Sequence, residues 1–153
     1  MDRNNGVRGL VAFLLVGIAA TGPTAAPTLA QSPETALKRS FDVIDLERTR
    51  RVVVHISLPD RALKTSLILV VMHGNSRNAE TYHRTWQPHA RAHGAVLVTP
   101  EFSRQDWPRT RHYHQGNLLT ADKATKPPAV WSFTAMERAV AIAARIAGIE
   151  ERR

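Results

Sequence analysis

The sequence contains no cysteine. A disulfide framework, a thiolate nucleophile and a cysteine-ligated zinc ribbon are therefore excluded. Long apolar runs are also scarce. The only one lies at the N-terminus, which rules out a polytopic membrane protein. There is no internal repeat, and no low-complexity stretch beyond the Ala-rich start. What is present is 153 residues, 43% of them hydrophobic, enough for one domain with a packed core. Lys and Arg number 21 against 13 Asp and Glu, a formal +8. The basic residues are scattered, without aromatic interleaving or a recognition-helix pattern. Nucleic acid is therefore not an expected partner, and a solvated basic surface accounts for the charge.

The first thirty residues read as an address. Arg3 and Arg8 make the start basic, and residues 10–20 (LVAFLLVGIAA) are apolar or small. Pro23 and Pro27 follow, and Thr28-Leu29-Ala30 places small residues at −3 and −1 before Gln31. That order is a secretory signal peptide, and its apolar core is shorter than the ~20 residues a membrane span needs. Cleavage after Ala30 is expected, with export to the periplasm or beyond and no stable membrane span afterwards. Residues 31–153 then carry a formal +7, since Asp2, Arg3 and Arg8 leave with the leader.

Residues 31–50 read as a lead-in segment, and 51–153 as alternating strand and helix. Residues 51–58 (RVVVHISL) are rich in β-branched side chains and stop at Pro59-Asp60. Residues 67–72 (LILVVM) form a short apolar run suited to a strand buried on both faces. His73-Gly74-Asn75-Ser76 breaks it. Residues 79–93 carry Tyr82, Trp86, Ala90 and His93 at helical spacing, and Gly94 follows as a stop. Residues 95–99 (AVLVT) form another strand, closed by Pro100. Residues 101–128 are a long irregular stretch of the kind found at a functional face or lid. Residues 130–147 predict a helix with Phe133, Met136, Val140, Ala143 and Ala147 in one stripe, ended by Gly148. The fold class expected is α/β, with about three strands in a partly parallel sheet flanked by helices.

The run VVMHGNSRNAETYHRTW at residues 70–86 resembles the α/β-hydrolase superfamily. More narrowly, it is similar to secreted esterases of the polyhydroxybutyrate-depolymerase and feruloyl-esterase kind. Three further segments carry the resemblance: Thr99-Pro100-Glu101-Phe102, Tyr113-His114-Gln115-Gly116-Asn117, and Trp131 with Phe133 at a helix start. The resemblance implies a truncated α/β-hydrolase-type sheet and ester hydrolysis through an acyl-serine, with no cofactor. It assigns His73, Gly74 and Asn75 to the turn that supplies oxyanion-hole N–H donors. Trp107, Tyr113 and Trp131 are candidates for the substrate face, or equally for core anchors.

That chemistry needs a serine at a G-x-S-x-G elbow, then an acid and a histidine. Ser32, Ser40, Ser57, Ser66, Ser76, Ser103 and Ser132 are the serines, and none stands in that pattern. The expectation is therefore the N-terminal part of a hydrolase, inactive alone and able to bind an ester substrate only when a downstream part completes it. A shortened gene, a frameshift or a fragmentary gene call would each give this chain. An alternative is a small envelope binding or interaction protein that reuses the hydrolase front half. A third reading takes Ser76 as a displaced nucleophile, with His112 or His114 as base and Asp106 or Asp122 as its orienter; a helix-capping serine is the plainer account. His89 and His93, spaced i and i+4, form no H-E-x-x-H, and no metal is expected. Residues 67–72 have no gatekeeper charge or proline, so self-association through that strand edge is expected.

Overall fold

The computed structural model describes residues 36–45, 48–61 and 66–149. The leader and cleavage site expected at residues 1–30 lie outside them. Four strands form one mixed sheet rather than the three expected: β1 (Leu37–Ile44), β2 (Thr49–Ser57), β3 (Ile68–Val70) and β4 (Val96–Glu101). The order is β1-β2-β4-β3. β1 and β2 pair antiparallel, β2 and β4 antiparallel, and β4 and β3 parallel. Helices α1 (Ala79–Ala92) and α2 (Ser132–Ala147) flank the sheet, giving an α/β-hydrolase-like arrangement.

The extra strand β1 falls inside the segment read as a lead-in. Only Phe41 and Val43 of it are buried, and its other face carries Lys38, Ser40 and Asp42 into solvent. That polar outer face hid the strand in the sequence. β4 also runs past its expected end, through Pro100 to Glu101. Val96 N donates to Leu67 O and Val71 N donates to Val98 O, so even-numbered residues of β4 point their backbone groups at β3. Pro100 shares that direction but lies beyond the β3 pairing, which ends at Val70 and Val98. Its missing N–H therefore breaks no ladder bond.

Side chains on β2 and β4 alternate between two packed faces. On one, Val52, Val54, Ile56, Val96 and Val98 pack with Phe102, Trp107 and Tyr113 against Ala135, Ala139 and Ala143 of α2. On the other, Leu97 and Val71 meet Ala90 of α1, with Tyr82 and Trp86 beside them. The buried stripe of α2 is thus Ser132, Ala135, Ala139, Ala143 and Ala144. It is rotated from the expected stripe, and Phe133 is about half exposed, at 48%. Alanines let the helix approach the branched strand residues closely, whereas a stripe of larger side chains would hold it off. Gly148 ends α2 in the left-handed conformation, φ 67°.

Candidate active-site turn

The chain between β3 and α1 forms a tight turn. Arg77 N donates to Gly74 O at 3.1 Å. The positive φ of this turn falls on Arg77, at 59°, and not on Gly74. Gly74 matters through proximity instead: a Cβ there would lie 3.4 Å from the Tyr82 hydroxyl. Among the described residues, the N–H groups of Gly74 and Asn75 have no hydrogen-bond acceptor. Two neighbouring donors without a protein acceptor thus stand in the turn that follows β3.

The side chain of His73 is turned inward and fastens the turn. Phe102 N donates to His73 Nε2 at 3.0 Å, so Nδ1 carries the proton and donates to Gly74 O at 2.9 Å. The ring stacks on Tyr113 at 4.7 Å between centroids. The Tyr113 hydroxyl donates to His73 O at 2.5 Å. Burial pushes the His73 pKa down and the Tyr113 pKa up to about 12, so both stay neutral near pH 7. Arg77 braces the same corner. Its Nη1 and Nη2 donate to Phe102 O and Trp107 O at 2.8 and 3.0 Å, and its guanidinium lies 4.2 Å from the Tyr113 ring centre.

Of the three substrate-face candidates, Trp107 and Tyr113 are core residues. Trp107 is fully buried, with Nε1 donating to Arg51 O at 2.9 Å. Tyr113 reaches the turn only through its hydroxyl and its stacking. Trp131 is half-buried at the start of α2 and donates from Nε1 to Lys126 O. Among the described residues, it makes no ring or hydrogen-bond contact with the turn.

Ser76 is exposed, and among the described residues it has no hydrogen bond to a histidine. It does not cap α1 either, since the cap position is Asn78, without a side-chain bond. His112 is buried and receives Arg111 Nε at 3.1 Å. His114 is exposed against Tyr113, Asp106 accepts from Ser103 Oγ, and Asp122 is exposed. His89 and His93 lie exposed on α1, and among the described residues no three His, Asp or Glu side chains converge.

The long stretch after β4 is bolted to the sheet. Asp45 Oδ2 accepts from Arg50 Nε, Lys126 Nζ and Asn117 Nδ2 at 3.1, 2.8 and 3.0 Å, all without solvent contact. Burial works to raise the Asp45 pKa, but these three donors outweigh it and hold it at about 2. Arg50 Nη1 also donates to Asp106 O at 2.6 Å. Sequence reasoning missed Asp45, Arg77 and Lys126 as organising residues. Nothing distinguishes them locally among 21 Lys and Arg and 13 Asp and Glu.

No protein-family model matches the sequence, and no curated protein matches it. Among the solved structures similar to it are two hydrolases. One is poly(aspartic acid) hydrolase-1 from Sphingomonas sp. KT-1, 30% identical over 67% of this chain, with a TM-score of 0.63. The other is LpqC, a poly(3-hydroxybutyrate) depolymerase from Bordetella parapertussis, 24% identical over 75% of this chain, with a TM-score of 0.62. The match takes in 39% of the first structure and 40% of the second, so the chain spans about two fifths of each. The fold is therefore hydrolase-like, of the α/β-hydrolase type.

Proposed function

We propose that this chain forms the front of an exported acyl hydrolase and does not hydrolyse esters by itself. The unpaired Gly74 and Asn75 N–H groups at the end of β3 carry this reading. They are donors placed for an acyl oxyanion, on a fold shared with two polymer hydrolases. Export rests on the basic start, the apolar core and the Thr28-Leu29-Ala30 site. Among the described residues, no helix is long and apolar enough to cross a membrane. The nucleophile comes from a G-x-S-x-G strand and turn that this sequence does not contain. β3 lies at the sheet edge and receives that strand; left bare, it pairs with a second copy. The substrate is an acyl polymer, and the two neighbours act on chemically different ones: poly(aspartic acid) is anionic and poly(3-hydroxybutyrate) is neutral.

A p-nitrophenyl ester tests the reading. The chain alone should give no burst and no saturable turnover. Turnover should appear when a polypeptide supplying the G-x-S-x-G strand and turn, the acid and the histidine is added. Saturable turnover by the chain alone, abolished in Ser76→Ala, would overturn the proposal.

A further inference from the structure

Arg104 lies beside the turn and takes no part in holding the core. Its Nη2 donates to Asn75 O at 2.9 Å, and the residue is exposed. Among the described residues, its Nε and Nη1 have no partner. The guanidinium thus presents part of its donor fork next to the unpaired Gly74 and Asn75 N–H groups. The surroundings carry both signs. Arg104 lies close enough to Arg77 for its charge to weigh on that guanidinium. The nearby carboxylates have partners of their own and none of them is Arg104: Glu101 meets His55 Nε2 at 2.8 Å and Asp106 accepts from Ser103 Oγ at 2.9 Å. The Tyr82 hydroxyl, close to Gly74, adds a further neutral donor.

We infer that Arg104 makes the turn a reader of carboxylate-bearing acyl chains, selecting a polyanionic substrate over a neutral polyester. A planar guanidinium with free N–H groups matches a carboxylate in geometry and charge. The unpaired backbone donors take the neighbouring acyl carbonyl at the same time. This inference rests on the hydrolase reading above and adds the substrate's charge to it.

Fluorescence anisotropy with the full chain tests it, using labelled oligo-aspartate and labelled oligo(3-hydroxybutyrate). The wild-type chain should prefer oligo-aspartate. Arg104→Gln should cut that preference roughly ten-fold, the worth of a hydrogen bond to a charged group. Arg145→Gln removes the same charge from the exposed end of α2 and should leave the preference within about two-fold. Equal weakening by Arg145→Gln would show a diffuse basic surface and overturn the inference. Equal loss of both ligands in Arg104→Gln would also overturn it, by reducing Arg104 to a brace on Asn75. Wild-type binding to the neutral oligomer alone would overturn this inference and leave the hydrolase reading standing. Binding of neither would overturn this inference, while the hydrolase reading stands or falls on the p-nitrophenyl ester assay.

Discussion

On the α2 side of the sheet, the valines and isoleucine of β2 and β4 meet a row of alanines, and the buried charges at the start of β2 are paired among themselves. On the α1 side, the same two strands present His55, Ser57, Thr99 and Glu101. His83 of α1 drops between them. Its Nε2 lies 2.9 Å from Ser57 Oγ and its Nδ1 3.0 Å from Thr99 Oγ1. His55 sits beside it, 5.8 Å between ring centres. Close apolar packing holds α2, whereas α1 is held by a smaller apolar cluster together with this polar network. Apolar burial is indifferent to pH, whereas a buried histidine is not. The helix that follows the candidate turn is therefore the one whose docking depends on conditions.

The largest expected effect lies on the apolar side. Trp107 is fully buried, packs edge-on to Phe102 at 4.9 Å, and covers the Arg50 guanidinium at 5.5 Å. Trp107→Ala should cost about 4 kcal/mol, from lost burial, the cavity left behind and an orphaned Arg51 carbonyl. The loss should be the same at pH 5 and pH 8 by urea denaturation. A loss below about 1 kcal/mol, or one that changes with pH, would erase the contrast between the two faces.

Acid should act on the other face. Burial first, then the neighbouring His55, lowers the His83 pKa from 6.5 to about 4. Between those values the unfolded chain binds the proton that the folded chain refuses. Stability is therefore full above pH 6.5 and falls as pH drops towards 4, by about 3 kcal/mol at roughly 1.4 kcal/mol per pKa unit. His73, also lowered, adds to the same slope. Asp45 does not confuse this window, because a carboxyl held at about 2 loses its contribution only below its ordinary 3.8. His83→Gln keeps a hydrogen-bonding amide but cannot titrate. Most of the slope between pH 6.5 and 4 should vanish in that variant, and an unchanged slope would assign the acid sensitivity elsewhere.

The two strands at the sheet's centre, β2 and β4, were legible from their β-branched runs; residues 67–72 were expected to be buried on both faces, but β3 lies at the sheet edge and is only half-buried, with Leu67 exposed. Both helices were legible from spacing and from their glycine stops. β1 was not, since an edge strand shows only alternate apolar residues and here carries charge between them. The turn was legible as a motif, with His73, Gly74 and Asn75 adjacent in sequence. The roles within it were not: the ring of His73 faces Phe102 and Tyr113, which lie 29 and 40 residues further along. Apart from Asp45 and Arg50, five positions apart, the His83 network and the Asp45 clamp join residues separated by 16 to 81 positions, and no local pattern records such pairings.

The smallest effect tests how much of the apolar face depends on the way α2 is delimited. Gly116 and Gly148 both adopt positive φ, at 75° and 67°. Their surroundings differ: a Cβ on Gly116 would fall 2.5 Å from Phe133 Cε2, while one on Gly148 would meet nothing within 4 Å. Gly116 O also accepts from Ser132 N at 2.8 Å, so any shift there moves the first residue of α2. Gly148→Ala should thus cost only the backbone strain of the left-handed conformation, about 1 kcal/mol. Gly148→Asn should recover part of it, since asparagine tolerates that region. Gly116→Ala adds a clash to the same strain and should cost more. Thermal unfolding of the three variants would measure the difference. Equal losses for the two alanine variants would mean that Phe133, half exposed, swings aside freely and that the start of α2 is not fixed by this contact.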